Sequence, residues 1–189
     1  MDKMTLKLLE TPRLYLRSLT LQDIDDVYAY AKDPQVSKYV TWETHKNQTD
    51  TYEFIQNFAS KKYAEGELEP YGIVLKEENR VIGTVGCSWL NQKKDNIMSM
   101  GYVLAREYWG KGLMTEAAQA LLDYAFESQE PYLIMAWCIA ENKASARVMK
   151  KLGMTFEGCL RGRIFRHGTQ WDMDCYSILQ KEWLDCQIK

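Results

Sequence analysis

Apolar and polar residues alternate along RLYLRS at Arg13–Ser18, the period-two pattern of a strand with one buried face. Thr20 then precedes Asp23, Asp25 and Asp26, a start signal for a helix whose first turn carries acids. This helix is predicted to run to about Lys32 and to stop before Pro34, because the residue ahead of a proline disfavours the α conformation. Val36–Asn47 reads as an irregular loop carrying Trp42 and His45. A second helix is predicted from Thr49 or Asp50, with Tyr52, Ile55, Phe58 and Ala59 at helical spacing.

The period then changes. Tyr71–Lys76 and Val81–Leu90 read as strands around a turn at Glu77–Arg80, and Ile97–Ala105 (IMSMGYVLA) follows the polar stretch Asn91–Asn96 as a third. Leu113, Met114, Ala117, Ala118, Leu121, Leu122, Ala125 and Phe126 form the broad apolar stripe of a buried helix. Tyr132–Ala140 (YLIMAWCIA) is nearly all apolar, as in a central strand covered on both faces. Asn142–Leu152 reads as a helix with Asn142 as N-cap and Gly153 as its stop. Thr155–Phe165 and Trp171–Leu179 flank a turn at His167–Gly168 and close the chain as a hairpin. The succession is strand, two helices, three antiparallel strands, helix, strand, helix and hairpin, a mixed α/β (α+β) layer fold. With 189 residues and no linker-like stretch, one domain is expected, its core about 11–179.

Composition narrows the function. A net charge of −2 lacks the basic surplus that phosphate contacts demand, so no nucleic-acid partner is expected. The opening MDKMTLKLLETPRLYLRSL carries charges every few residues, and no run of about 18 apolar residues occurs, so neither a signal peptide nor a membrane span is expected. The five cysteines (Cys87, Cys138, Cys159, Cys175, Cys186) are scattered without a CxxC, and the only histidines are His45 and His167. That pattern lacks zinc spacing and suits reduced thiols in a cytoplasmic protein without a metal.

The chemistry concentrates in Met100–Ala118 (MGYVLAREYWGKGLMTEAA), where a strand ends, Gly110 and Gly112 follow, and an amphipathic helix starts at once. Such a start offers backbone N–H groups and the positive end of a helix dipole to an anion. Glycines let the backbone approach closely, and Lys111 adds charge. A Walker A loop is excluded by Ala105 and Gly112, and a GxGxxG fingerprint by Thr115.

A strand feeding a Gly-x-Gly turn into a helix is the pyrophosphate loop of the GCN5-related N-acetyltransferases (GNAT), and the chain resembles that family from roughly Thr11 to Leu179. The resemblance rests on ETPRLYLRSL, GYVLAREYWGKGLMTEA, AENKASARVMKKLGM, and FEGCLR followed by WDMDCYSIL. The subgroup it resembles contains the ribosomal-protein alanine N-acetyltransferases. The resemblance implies a mixed, mostly antiparallel sheet flanked by helices, and transfer of acetyl from acetyl-coenzyme A to an amine. It implies a pantetheine arm between splayed strands at Ser99–Ala105 and Tyr132–Ala140, contacted near Val103 and Leu104. Pyrophosphate would be held along Trp109, Gly110, Lys111, Gly112, Leu113, Met114 and Thr115. Where the family has Gln or Arg three residues before the first glycine, this chain has Glu107 beside Arg106.

Asn142 and Ser145 match the family's Asn-x-x-Ser, Asn142 as a cap with or without a cofactor contact, Ser145 as a donor to the departing sulfur. The family's usual base positions hold Ser99 and Ile164, so the base falls to Glu141, Glu157, Asp172, His45 or a water chain. His45 has the intrinsic pKa for it. Trp42, His45 and Trp171 are candidates for the acceptor pocket, where aromatic walls suit a cationic amine, while Trp89 reads as core packing. Arg161, Arg163 and Arg166 cluster near the final hairpin, facing either solvent or an acidic acceptor. The implied acceptor is a protein or peptide N-terminal α-amine. A small-molecule amine and a non-catalytic acetyl-coenzyme A sensor are the alternatives.

Overall fold

The computed structural model describes residues 6–166 and 168–187, and they form two compact units. The first spans 1–88 and 102–123, described from Leu6 onward; the second spans 89–101 and 124–189.

In the first unit, β1 (Leu9–Glu10) pairs antiparallel with β2 (Leu14–Ser18), whose Leu14 and Leu16 are fully buried. The acids after Thr20 do start a helix. Thr20 and Asp23 cap each other's backbone around a short 3-10 turn, and α1 (Ile24–Ala31) follows. Asp23 is buried and paired with Arg17 at 2.7 Å, so the acid both caps the helix and ties it to β2. Just ahead of the predicted loop, and overlapping it at Val36 and Ser37, the chain forms α2 (Pro34–Ser37). Pro34 sits at the first helical position, where its missing N–H costs nothing, and Asp33 caps the turn.

Next come α3 (Gln48–Glu53), capped by Asn47, a π-helical stretch at Phe54–Ala59, and α4 (Ser60–Ala64). The π stretch corrects the predicted second helix. Its wider turn leaves Ile55 and Ala59 buried but Phe58 exposed, and Tyr52 in α3 is exposed as well, although all four lie at α-helical spacing. β3 (Leu68–Leu75) and β4 (Arg80–Trp89) form an antiparallel pair around the expected turn. A Cβ on Gly83 of β4 would collide with the Val103 carbonyl and come within 2.9 Å of Leu104 Cα, so glycine lets the two backbones meet. Val103 and Leu104 belong to β5 (Ile97–Leu104), whose second half lies in this unit. The expected helix is α5 (Leu113–Gln129), and Leu113, Ala117, Ala118, Leu121, Leu122, Ala125 and Phe126 are all buried along its stripe.

In the second unit, the first half of β5 runs parallel to β6 (Leu133–Ile139) over three residue pairs, Ile97–Ser99 with Leu133–Met135. β6 alternates rather than being covered on both faces: Ile134, Ala136 and Cys138 are buried, but Trp137 is 38% exposed. Its apolar run therefore overstated its burial. α6 (Lys143–Lys151) follows, then the long hairpin of β7 (Thr155–Arg166) and β8 (Thr169–Leu179), with β8 also pairing antiparallel to β6. Gly168 of the predicted hairpin turn has φ +74°, while His167 lies outside the described residues. The sequence pattern did not announce α7 (Gln180–Gln187), which Trp183 anchors by stacking on Phe126 at 5.1 Å. Among the described residues the first unit orders its strands β1-β2-β3-β4 and the second β5-β6-β8-β7, mostly antiparallel with one parallel pair and flanked by helices, the mixed α/β class expected.

Candidate active site

The glycine turn in the first unit takes the conformation that its sequence demands. Gly110 and Gly112 have φ of +77° and +78°, the left-handed region. A Cβ at Gly110 would meet nothing, and one at Gly112 only Arg13 Nη2 at 3.6 Å, so backbone conformation rather than crowding requires glycine here. α5 begins at the next residue, and Gly112 brings no side chain to the position where a helix is ordinarily capped. Leu113 and Met114 are buried, so only their backbone is available to a ligand; Thr115 is half-buried. Lys111 turns its ammonium over the Tyr108 ring at 5.2 Å. Tyr108 in turn donates to Glu78 at 2.5 Å.

The end of β5 shapes the turn's approach. Ala105 N–H donates to the Ile82 carbonyl, and strand alternation turns the Leu104 peptide groups to the opposite edge. There the Leu104 carbonyl accepts the Trp109 indole N–H at 2.7 Å, while the Trp109 ring stays exposed. Arg106 pairs with Asp33 at 3.2 Å. The largest feature missed in the sequence is a brace under the turn. The Glu116 carboxylate accepts from Thr11 Oγ1 at 2.7 Å, Arg13 N at 2.9 Å and Arg13 Nε at 2.6 Å. Arg13 Nη1 donates to the Lys111 carbonyl at 3.0 Å. Burial pushes the Glu116 carboxyl up, but the hydrogen bonds from Thr11 and Arg13 outweigh it and hold the group below the usual range. RLYLRS reads simply as a strand, so nothing in the pattern points to a partner about a hundred residues away.

Trp42 and His45 also lie in the first unit. Their rings are 5.5 Å apart, and Phe54 lies 6.2 Å from His45 on the other contact. His45 Nδ1 is 2.8 Å from the hydroxyl of fully buried Thr51, and the His45 backbone N–H donates to the Ala31 carbonyl. Burial lowers the imidazole pKa, with Asp50 opposing, which favours the neutral ring.

In the second unit, Asn142 caps α6 by accepting the Ser145 N–H at 3.1 Å. The Ser145 hydroxyl hydrogen-bonds the thiol of Cys138 on β6, a partner the spacing did not suggest. Burial, with Asp174 adding to it, pushes the Cys138 thiol up to about 11, against the Ser145 bond. Glu157 on β7 accepts from buried Ser177 through a short hydrogen bond, and Asp172 accepts the Gly162 N–H at 2.7 Å. Both are committed to the hairpin. Trp171 donates its indole N–H to the Arg166 carbonyl at 3.2 Å. Ser99 sits in the parallel ladder opposite Met135, and Ile164 opposite Trp171.

Comparison with known proteins shows the family. The family profile described as "Acetyltransferase (GNAT) domain" matches residues 13–155. "Uncharacterized N-acetyltransferase p20" of Bacillus licheniformis is 34% identical over 175 residues, 93% of this chain and 97% of that protein. A crystal structure of a GNAT-family acetyltransferase from Bacillus anthracis superposes with a TM-score of 0.81 at 30% identity, covering 93% of this chain and all of that one. The [Ribosomal protein uS5]-alanine N-acetyltransferase of Escherichia coli (strain K12) is 26% identical over 64% of this chain and 62% of its own length. The chain belongs to the GNAT family. It is an N-acetyltransferase that uses acetyl-coenzyme A.

Proposed function

We propose that the acceptor is the α-amine of a protein or peptide N-terminus, acetylated in the cytoplasm. The observation that carries this reading is the setting of His45: half-buried, held against Thr51 and flanked by Trp42 and Phe54, with burial favouring its neutral form. With Nδ1–H donating to Thr51, Nε2 holds the lone pair and accepts the proton that the amine loses as its bond to the acetyl carbon forms. A base of lowered pKa matches an α-amine, with pKa near 7.7–8.0, and not a lysine side chain near 10.4, which arrives almost wholly protonated. The residues at the family's carboxylate positions, Ser99 and Ile164, leave no stronger base there. Trp42 supplies an aromatic wall for the amine. The activity named for the Escherichia coli relative, on an alanine of ribosomal protein uS5, points the same way.

On this reading the Gly110–Thr115 backbone binds the coenzyme pyrophosphate, and the edge of β5 near Leu104 that faces away from Ile82 takes the pantetheine arm. Ser145 swings its hydroxyl from Cys138 to the departing sulfur, stabilising a thiolate whose pKa is about 8.5. The test is an acceptor panel at one pH: peptides with free N-termini, the same peptides N-blocked but carrying lysine, and polyamines. The free N-termini turn over fastest; equal or faster thiol release with blocked peptides or polyamines refutes the assignment.

A further inference from the structure

Arg13 stands just before β2, yet its side chain ends beside the glycine turn. Nε and Nη2 grip Glu116 Oε2, each at 2.6 Å, and Nη1 holds the Lys111 carbonyl at 3.0 Å. Its own N–H and the Thr11 hydroxyl take the other Glu116 oxygen. Two consequences follow from this geometry.

The first concerns charge. Glu116 is the fourth residue of α5, where a bare carboxylate would repel an anion approaching the helix start. Paired with a guanidinium and given two further donors, that charge is neutralised in place. The second concerns direction. A trans peptide points its carbonyl and the following N–H to opposite sides, and Glu69–Pro70 is the cis bond among the described residues. Fixing the Lys111 carbonyl on Arg13 therefore turns the Gly112 N–H away from the guanidinium, toward the side left for a ligand. A Cβ at Gly112 would lie 3.6 Å from Nη2, so the guanidinium ends in van der Waals reach of the turn. Arginine's planar fork spans both acceptors at once.

We propose that Arg13 is a positioning residue for coenzyme binding: it sets the Lys111–Gly112 peptide plane and cancels the Glu116 charge, so that the turn presents its N–H groups to the pyrophosphate. The proposal rests on the reading of Gly110–Thr115 as the pyrophosphate site.

The experiment compares two acetyl donors on the full chain: acetyl-coenzyme A, and S-acetylpantetheine, which lacks the pyrophosphate and nucleotide. The quantity read is the ratio of their kcat/KM values, which a general loss of fold or activity does not move. Arg13→Ala lowers the preference for acetyl-coenzyme A about ten-fold or more. Arg13→Lys keeps the charge without the fork and recovers only a minor part. An unchanged ratio in Arg13→Ala, or full recovery in Arg13→Lys, overturns the proposal. If Arg13→Ala does not fold by thermal melting, Arg13→Lys decides alone: a fall of about three-fold supports the proposal and an unchanged ratio ends it. Gly112→Asp separates the two layers. If it too leaves the ratio unchanged, the pyrophosphate reading itself is wrong; if it lowers the ratio while the Arg13 variants do not, only the role of Arg13 fails.

Discussion

Two helix starts, one in each unit, solve one local problem in opposite ways. α6 opens on Asn142, whose side chain takes the Ser145 N–H, so part of the helix's unpaired backbone is already satisfied. α5 opens on Gly112, which has no side chain to offer, and its turn is held from outside by Arg13. A capped start gains stability and gives up anion affinity; an uncapped start keeps its N–H groups for a ligand. The bracing differs accordingly. At α5 Arg13, ion-paired with the sequence-distant Glu116, holds the Lys111 carbonyl, whereas at α6 Ser145 hydrogen-bonds Cys138 on the neighbouring strand.

The largest expected effect comes from filling the uncapped start. Gly112→Asp places a carboxylate at the proposed pyrophosphate site and removes a glycine from φ +78°, and calorimetry is expected to show acetyl-coenzyme A affinity falling on the order of 100-fold in folded protein. Unchanged affinity would erase the contrast between the two starts. Ser145→Ala is expected to lower kcat about ten-fold with a smaller change in the KM for acetyl-coenzyme A, as for a group acting in the transition state. An unaffected kcat would leave Ser145 as the partner of Cys138 alone.

Asn142→Ala tests the capped start. It removes a cap worth about 1 kcal/mol and is expected to lower Tm by about 2–4 °C, with far less effect on coenzyme affinity than Gly112→Asp. A loss of affinity matching that of Gly112→Asp would make Asn142 a ligand contact and not only a cap. The smallest effect belongs to His45. Its folded pKa lies below its unfolded value, so the unfolded chain binds the proton more tightly. The resulting stability is present above about pH 6.5 and is lost as pH falls through the folded pKa. Wild type should therefore lose Tm on acidification faster than His45→Gln; parallel pH profiles would contradict the burial of the imidazole.

Sequence periodicity and turn chemistry determined much of this protein by themselves. The α5 stripe, the Asn142 cap, the Gly153 stop and the Gly-x-Gly turn were legible because each depends on neighbours within a few residues. Local rules misjudged Pro34–Ser37, where proline starts a helix instead of only ending one, and Phe54–Ala59, where a π turn rotates Phe58 out of the buried face. They also read Tyr132–Ala140 as doubly covered, although Trp137 remains exposed. Tertiary structure alone decided the partners: Arg13 with Glu116 and Lys111, His45 with Thr51 and Trp42, Ser145 with Cys138, and Trp183 with Phe126. Periodicity records which face of an element is buried; it holds no information on which distant donor meets which acceptor. That pairing follows from how strands are ordered and registered, and it sets the peptide planes, protonation states and hydrogen bonds on which the chemistry depends.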